Sequence, residues 1–287
     1  MKQLKKGDQV ALVALSNGLS LNLKEKIEAL EESLKKIGLE VIRSPYLFAE
    51  DSIAGAIASV RAMQLMAYYK EKEIQAVFDV SGGDIANEVL TLLDYELIKQ
   101  QDKIFFGYSD LTTVINALYT CSGKSSCLYQ IRNMVGTYGK EQQRRVEDSL
   151  LQEKADLLSF NYKFLQKDYL EGVVIGGNIR CFLKLAGTPY MPDFKDKVLF
   201  LESRSGGPAQ MITFLNQYKQ MGAFKQIKGL ILGNFTQMES EGSVPSIEEL
   251  VMQIVDRTDL PIVKTSEIGH GADSKAILIG ENITLGA

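Results

Sequence analysis

An α/β chain with a parallel sheet in its first half and a smaller α/β unit after it is what this sequence predicts. Three observations carry the prediction. Short apolar runs alternate strictly with segments of helical apolar spacing through the first half. Turn residues, glycine prominent among them, fall where the predicted strands end. The same alternation resumes, more briefly, after a charged stretch near the middle of the chain.

Residues 9–15 read as the first strand, ended by Ser16-Asn17-Gly18. Asn22 and Glu25 form a variant capping box for the next helix, whose apolar residues Leu23, Ile27, Leu30, Leu34 and Ile37 recur at four- and three-residue steps. Gly38 ends it. A strand at 39–42, a helix at 57–69 and a strand at 74–80 follow. The loop Ser81-Gly82-Gly83-Asp84 then leads to a helix near Ala86, and the fourth strand is 104–106. Such parallel sheets place ligands at the carboxyl ends of their strands, where both the double glycine and Ser109 fall.

Ser109 sits where an apolar strand gives way to the helical spacing of Leu111, Val114, Ile115 and Leu118. A serine at a sharp strand-to-helix turn has its hydroxyl lifted clear of the sheet, and the N–H of the next residue, Asp110, faces the positive end of the new helix. Those are the mechanics of a nucleophile elbow, although the G-x-S-x-G string is absent. Read alone, Ser109 is more simply an N-cap.

From 139 to 168 Lys140, Glu141, Arg144, Arg145, Glu147, Asp148, Glu153 and Lys154 make a mixed charge run, expected as a solvated segment at a domain boundary. The expected organisation is residues 1–150 as an N-terminal unit carrying Ser109, 151–170 as a linker, and 171–287 as a C-terminal unit. In the latter, strands are expected at 172–175, 197–201, 229–232 and 261–263, with a last apolar run at 276–279. Helices are expected after Pro208, with Met211, Phe214, Leu215 and Tyr218 on one face, and at 246–255.

Composition narrows the function. The 287 residues are 45% hydrophobic and 24% charged, an ordinary globular balance. A formal charge of −4 argues against a nucleic-acid partner. No run approaches the apolar length of a membrane span, and the apolar stretch after the basic N-terminus is too short for a secretory leader. Three cysteines without C-x-x-C spacing, and a single histidine, offer no zinc set, so neither metal nor other cofactor is expected. Reduced thiols and a cytoplasmic location fit that usage.

A serine at a strand end, Glu202 closing a second predicted strand, and His270 between Gly269 and Gly271 follow the order Ser, acid, His, which recurs in hydrolase triads. A serine hydroxyl needs a base within reach, and histidine is the side chain that changes protonation near neutral pH. Taken singly, a loop histidine is ordinarily solvated and a strand-end glutamate ordinarily surface.

Together with Leu4-Lys5-Lys6-Gly7-Asp8-Gln9-Val10, Gly82-Gly83, Leu93-Asp94-Tyr95-Glu96-Leu97-Ile98, Gly107-Tyr108-Ser109-Asp110, Gly176-Gly177-Asn178, Ala186-Gly187-Thr188-Pro189-Tyr190, Leu199-Phe200-Leu201-Glu202 and Gly269-His270-Gly271, these residues make the chain resemble the LD-carboxypeptidase family of serine peptidases. That family also includes the microcin C immunity hydrolases. The resemblance implies a Rossmann/flavodoxin-like N-terminal domain, a smaller α/β C-terminal domain, and an active site in the cleft between them. It implies Ser109 as nucleophile, His270 as general base, Glu202 as its orienting acid, and an oxyanion hole from the N–H groups of Asp110 and of Gly82 or Gly83. It further implies a homodimer that removes terminal D-alanine from cytoplasmic muropeptides in peptidoglycan recycling. Hydrolysis of peptidyl or aminoacyl nucleotides is the alternative within the family, and a catalytically silent ligand-binding module the alternative outside it. Arg204 is a candidate for bidentate pairing with a substrate carboxylate, and Asp84, beside the double glycine, is a second candidate contact. The chain departs from the family pattern in having Ser81 where carboxypeptidase members often carry arginine, Asp84 where they carry an aromatic, and Gly-Lys-Ser-Ser-Cys-Leu-Tyr-Gln (123–130) where a Gly-Pro ending is usual. It also has no tryptophan to stack an adenine.

Overall fold

The computed structural model describes residues 2–50 and 52–286; Met1, Asp51 and Ala287 lie outside that description. The first half runs β1 (Gln9–Val13), α1 (Lys24–Lys36), β2 (Glu40–Arg43), α2 (Ala58–Lys70), β3 (Ile74–Asp79), α3 (Tyr95–Gln100), β4 (Ile104–Gly107), α4 (Thr112–Ser122), β5 (Ser126–Leu128) and α5 (Gly139–Leu151). The second runs β6 (Lys163–Gln166), β7 (Tyr169–Asn178), α6 (Ile179–Leu183), β8 (Lys197–Ser203), α7 (Pro208–Gln220), α8 (Ala223–Gln226), β9 (Gly229–Phe235), α9 (Thr236–Glu241), α10 (Ile247–Val255), β10 (Ile262–Lys264), β11 (Ile277–Ile279) and β12 (Asn282–Gly286).

Two six-stranded sheets result. In the first, ordered β11-β5-β4-β3-β1-β2, the strands β5, β4, β3, β1 and β2 are parallel. Side chains alternate between its faces, as strand pleating requires. Val10 and Leu12 pack in one core with Ile27, Leu30 and Leu34 of α1, while Ala11 and Val13 pack in the other with Ala62 and Leu65 of α2. Each fully buried leucine or isoleucine contributes about 1.5–3 kcal/mol, which fixes the register. The second sheet, ordered β12-β7-β8-β9-β10-β6, is parallel in its four central strands and antiparallel at both edges.

Helix α4 ties the halves together. Val114, Ile115, Ala117 and Leu118 are buried in the same apolar cluster as Val174, Ile175 and Phe200 of the second sheet. The Asn116 side chain pairs with the Gly176 backbone, donating to its carbonyl at 2.8 Å and accepting from its N–H at 3.0 Å. The approach is so close that a Cβ at Gly177 would lie 2.6 Å from Thr112 Oγ1. Gly177 therefore serves helix-to-strand contact, whereas Gly176, whose Cβ would lie 2.2 Å from the Phe200 carbonyl oxygen, serves the pairing of β7 with β8.

Four expectations need correcting. The Asn22–Glu25 box does not form: Ser20 accepts from the Asn22 N–H, a 3₁₀ turn intervenes, and α1 starts at Lys24 without a side-chain cap. Within the charge run, residues 139–151 are a helix with Val146 and Leu150 fully buried, so only one of its faces is solvated. The segment expected as a linker contains β6, which pairs antiparallel with β10. Finally, β11 leaves the second half and pairs antiparallel with β5, before β12 returns to the second sheet.

Candidate active site

Strand β4 delivers the serine. Tyr108 is extended (φ −155°), but Ser109 has φ +55°, and a 3₁₀ turn, Ser109–Leu111, leads into α4. A non-glycine residue in the left-handed region costs about 1–3 kcal/mol and persists only where its surroundings enforce it. The enforcement is visible next door. The Asp110 carboxylate, fully buried, accepts from Ser16 Oγ at 2.6 Å, the Ala86 N–H at 2.8 Å and Lys184 Nζ at 2.6 Å.

Glu202 is the penultimate residue of β8 and is 0% exposed. Its Oε2 lies 2.6 Å from His270 Nδ1, and the other ring nitrogen, Nε2, lies 3.2 Å from Ser109 Oγ. A carboxylate only accepts, so Nδ1 carries the proton and Nε2 presents its lone pair to the serine hydroxyl. Asn178, paired in register with Glu202 at the end of β7, donates to Glu202 Oε1 at 3.1 Å. That asparagine also caps α6, accepting from the Cys181 N–H, and its own N–H donates to Thr112 Oγ1. Tyr108 packs its ring 4.4 Å from the imidazole. Burial, and secondarily the Glu202 charge, push its hydroxyl well above the ordinary range, so it stays neutral. The three residues named from the sequence are thus brought together, Ser109 from one sheet and Glu202 and His270 from the other half.

The profile of the LD-carboxypeptidase N-terminal domain matches residues 10–129, and that of the C-terminal domain matches residues 171–285. The chain belongs to the LD-carboxypeptidase family. It is 22% identical to a murein tetrapeptide carboxypeptidase of Pseudomonas aeruginosa, over 96% of this chain and 92% of that one. It is 21% identical to the microcin C7 self-immunity protein MccF of Escherichia coli, over 97% and 90%. The crystal structure of an MccF-like protein from Bacillus anthracis superposes with a TM-score of 0.87 at 26% identity, over 100% of this chain and 95% of that one.

In this LD-carboxypeptidase family member Ser109 and His270 border a cleft of about 400 Å³, lined also by Asn17, Gly82, Gly83, Gln130, Arg132 and Arg204. Asn17 moulds the double-glycine loop. It bridges to Gly82, and its Oδ1 accepts from the Asp84 N–H at 2.9 Å. A Cβ at Gly83 (φ +134°) would fall 2.1 Å from that same oxygen, so only glycine fits. Beneath the loop, burial raises the Asp79 carboxyl to about 6, even though Leu15 N–H, Ser81 N–H and Ser81 Oγ donate to it.

Asp84 does not line the cleft. Arg180 donates to it at 2.5 Å, Lys184 stands at 3.6 Å, and the Arg180 hydrogen bond leads the causes that hold its carboxyl below the usual range. It clasps α6 to the double-glycine loop. Arg204 is exposed and does line the cleft. Asn178 and Arg132 are the site residues that the sequence did not reveal. Asn178 had a usable signal, an Asn in N-cap position directly after a strand, whereas Arg132 had none. Among the described residues, no group of three or more His, Cys, Asp and Glu is placed to hold a metal ion.

Proposed function

We propose that this protein is a serine-type LD-carboxypeptidase that removes terminal D-alanine from muropeptides during peptidoglycan recycling, in the cytoplasm and as a homodimer. The observation that carries the reading is the hydrogen-bonded row Glu202–His270–Ser109 at the edge of a polar cleft. Ser109 Oγ attacks the carbonyl carbon joining the diamino acid to D-alanine, and its proton passes to His270 Nε2. The developing oxyanion is received by the N–H of Asp110 and by that of Gly82 or Gly83. The C–N bond then breaks, His270 returns the proton to the leaving amine, and D-alanine departs. Water attacks the acyl-enzyme, giving its proton to His270, and frees the shortened peptide and Ser109. Glu202 holds the tautomer and stabilises the imidazolium throughout.

Kinship with a murein tetrapeptide carboxypeptidase supports this substrate. The likeness to an MccF-like protein supports the second reading, hydrolysis of peptidyl or aminoacyl nucleotides, while the absence of tryptophan counts against it. Incubation with a muropeptide ending in diaminopimelate–D-alanine, beside an aminoacyl sulfamoyl adenosine, separates them. Release of D-alanine alone is the expected result; turnover of the nucleotide analogue alone overturns the muropeptide assignment.

A further inference from the structure

The chain has eight arginines. Six of them, Arg43, Arg61, Arg144, Arg145, Arg180 and Arg257, have a carboxylate within 4 Å. Arg132 and Arg204 have none among the described residues, and these two line the same cleft as Ser109 and His270. Among the described residues no aspartate or glutamate lines that cleft, so it holds two guanidinium charges in a protein whose net charge is −4.

The backbone that carries Arg132 is fixed in place. It lies in the 3₁₀ turn Ile131–Val135 that follows β5, and the Gln130 side chain accepts from its N–H to fix that turn. Its Nε is buried with no hydrogen-bond partner. The carboxylate whose field it feels, Asp79, has both oxygens occupied by Leu15 and Ser81. Burial disfavours its protonated form, the Asp79 charge offsets only part of that, and the charge of Arg204 adds to it. Elsewhere the fold does satisfy a buried guanidinium: Arg61 pairs with Glu88 and with the carbonyls of Leu15 and Ala56. A guanidinium left unpaired and largely buried is costly, and the cost is offset when a ligand supplies the anion.

We propose that Arg132 and Arg204 form an anion subsite of the catalytic cleft that receives the terminal carboxylate of the substrate. The identity of that anion rests on the muropeptide reading. The fork of a guanidinium suits a carboxylate's paired oxygens, and two forks beside the nucleophile fix the scissile bond at one residue from the chain end. The subsite thereby makes the enzyme an exopeptidase.

The test compares the muropeptide tetrapeptide as free acid and as C-terminal carboxamide. Wild type prefers the acid in kcat/KM by on the order of 100-fold; Arg132→Gln shrinks that preference to a few-fold, as loss of a desolvated charge pair does, and Arg204→Gln, at the exposed arginine, shrinks it less. Arg132→Lys, with a charge but no fork, falls between. Thermal unfolding gives an independent readout. Arg132→Gln keeps or raises Tm, since it removes an uncompensated charge, whereas an arginine with a structural role lowers it.

A second arm needs no muropeptide turnover. Inorganic phosphate slows labelling of Ser109 by a fluorophosphonate in wild type, against chloride at equal ionic strength, and does so much less in either glutamine variant. An acid preference unchanged in both variants overturns the subsite while leaving the carboxypeptidase reading standing. Phosphate protection that depends on the arginines, with no D-alanine released by wild type, supports the anion subsite and overturns the muropeptide reading. Protection that is absent, or equal in all three proteins, overturns the subsite.

Discussion

Replacing Lys184 by Met tests whether the turn bearing Ser109 is braced from the other half of the molecule. Lys184 follows α6 and reaches across to the first half, where its Nζ lies 2.6 Å from Asp110 Oδ1 and 2.8 Å from the Asp84 carbonyl oxygen. Asp110 is 0% exposed, so the substitution leaves a buried carboxylate with two neutral hydrogen-bond donors and no countercharge. Breaking such a pair costs about 3–5 kcal/mol. The Lys184 side chain is 19% exposed and water can approach the gap, which places the effect near the lower limit, about 3 kcal/mol. In a chain of this length that corresponds to a fall in Tm of about 5 °C. Because the Asp110 N–H is a proposed oxyanion donor, kcat for D-alanine release falls as well, by roughly 10-fold. Scanning calorimetry of wild type, Lys184→Met, Asp110→Asn and the double variant measures the coupling. The double variant recovers part of the loss, since no buried charge remains. A Tm within 1 °C of wild type for Lys184→Met, or strictly additive losses in the double variant, refutes the reasoning.

Three further outcomes are expected. Glu202→Gln lowers kcat by on the order of 10³-fold with the fold retained, because an amide nitrogen facing His270 Nδ1 imposes the opposite tautomer and turns an N–H toward Ser109; circular dichroism and turnover together check this. Asp79 sets a pH dependence of stability. Its carboxyl is raised from 3.8 to about 6 in the folded state, so its contribution is fully present below pH 4, is lost as pH rises to about 6, and is flat above that. The change is about 3 kcal/mol. Asp79→Asn should flatten that part of a urea-denaturation series between pH 4 and 7. Activity survives exhaustive chelation, because the only histidine is engaged with Glu202 and Ser109; loss that zinc or manganese restores would contradict this.

The central strands were legible because parallel strands buried on both faces leave continuous apolar runs, as at residues 9–13, 74–79 and 197–203. The short strands β5, β6, β11 and β12 were not. Their pairing is decided by distant partners, as when Ile277–Ile279 crosses to the first sheet, and three to five residues carry too little period to show it. Asn22 looked like a cap because its side chain suits the role, yet Ser20, two positions earlier, took it. At the site, Ser109 and His270 were marked by chain breaks and by their neighbours. The pairing of Asp84 and the place of Arg132 in the cleft were missed for one reason, that pairing of a charge is a tertiary property. Arg180 reaches Asp84 across 96 residues, whereas nothing among the described residues neutralises Arg132.

The claim that Ser109 and His270 act as one unit in releasing D-alanine is tested most directly by kcat/KM for wild type, Ser109→Ala, His270→Ala and the double variant on a muropeptide tetrapeptide. Each single substitution lowers the value by on the order of 10³-fold or more, and the double lowers it little further. Losses that multiply, or more than a tenth of wild-type activity in folded Ser109→Ala, would contradict the account.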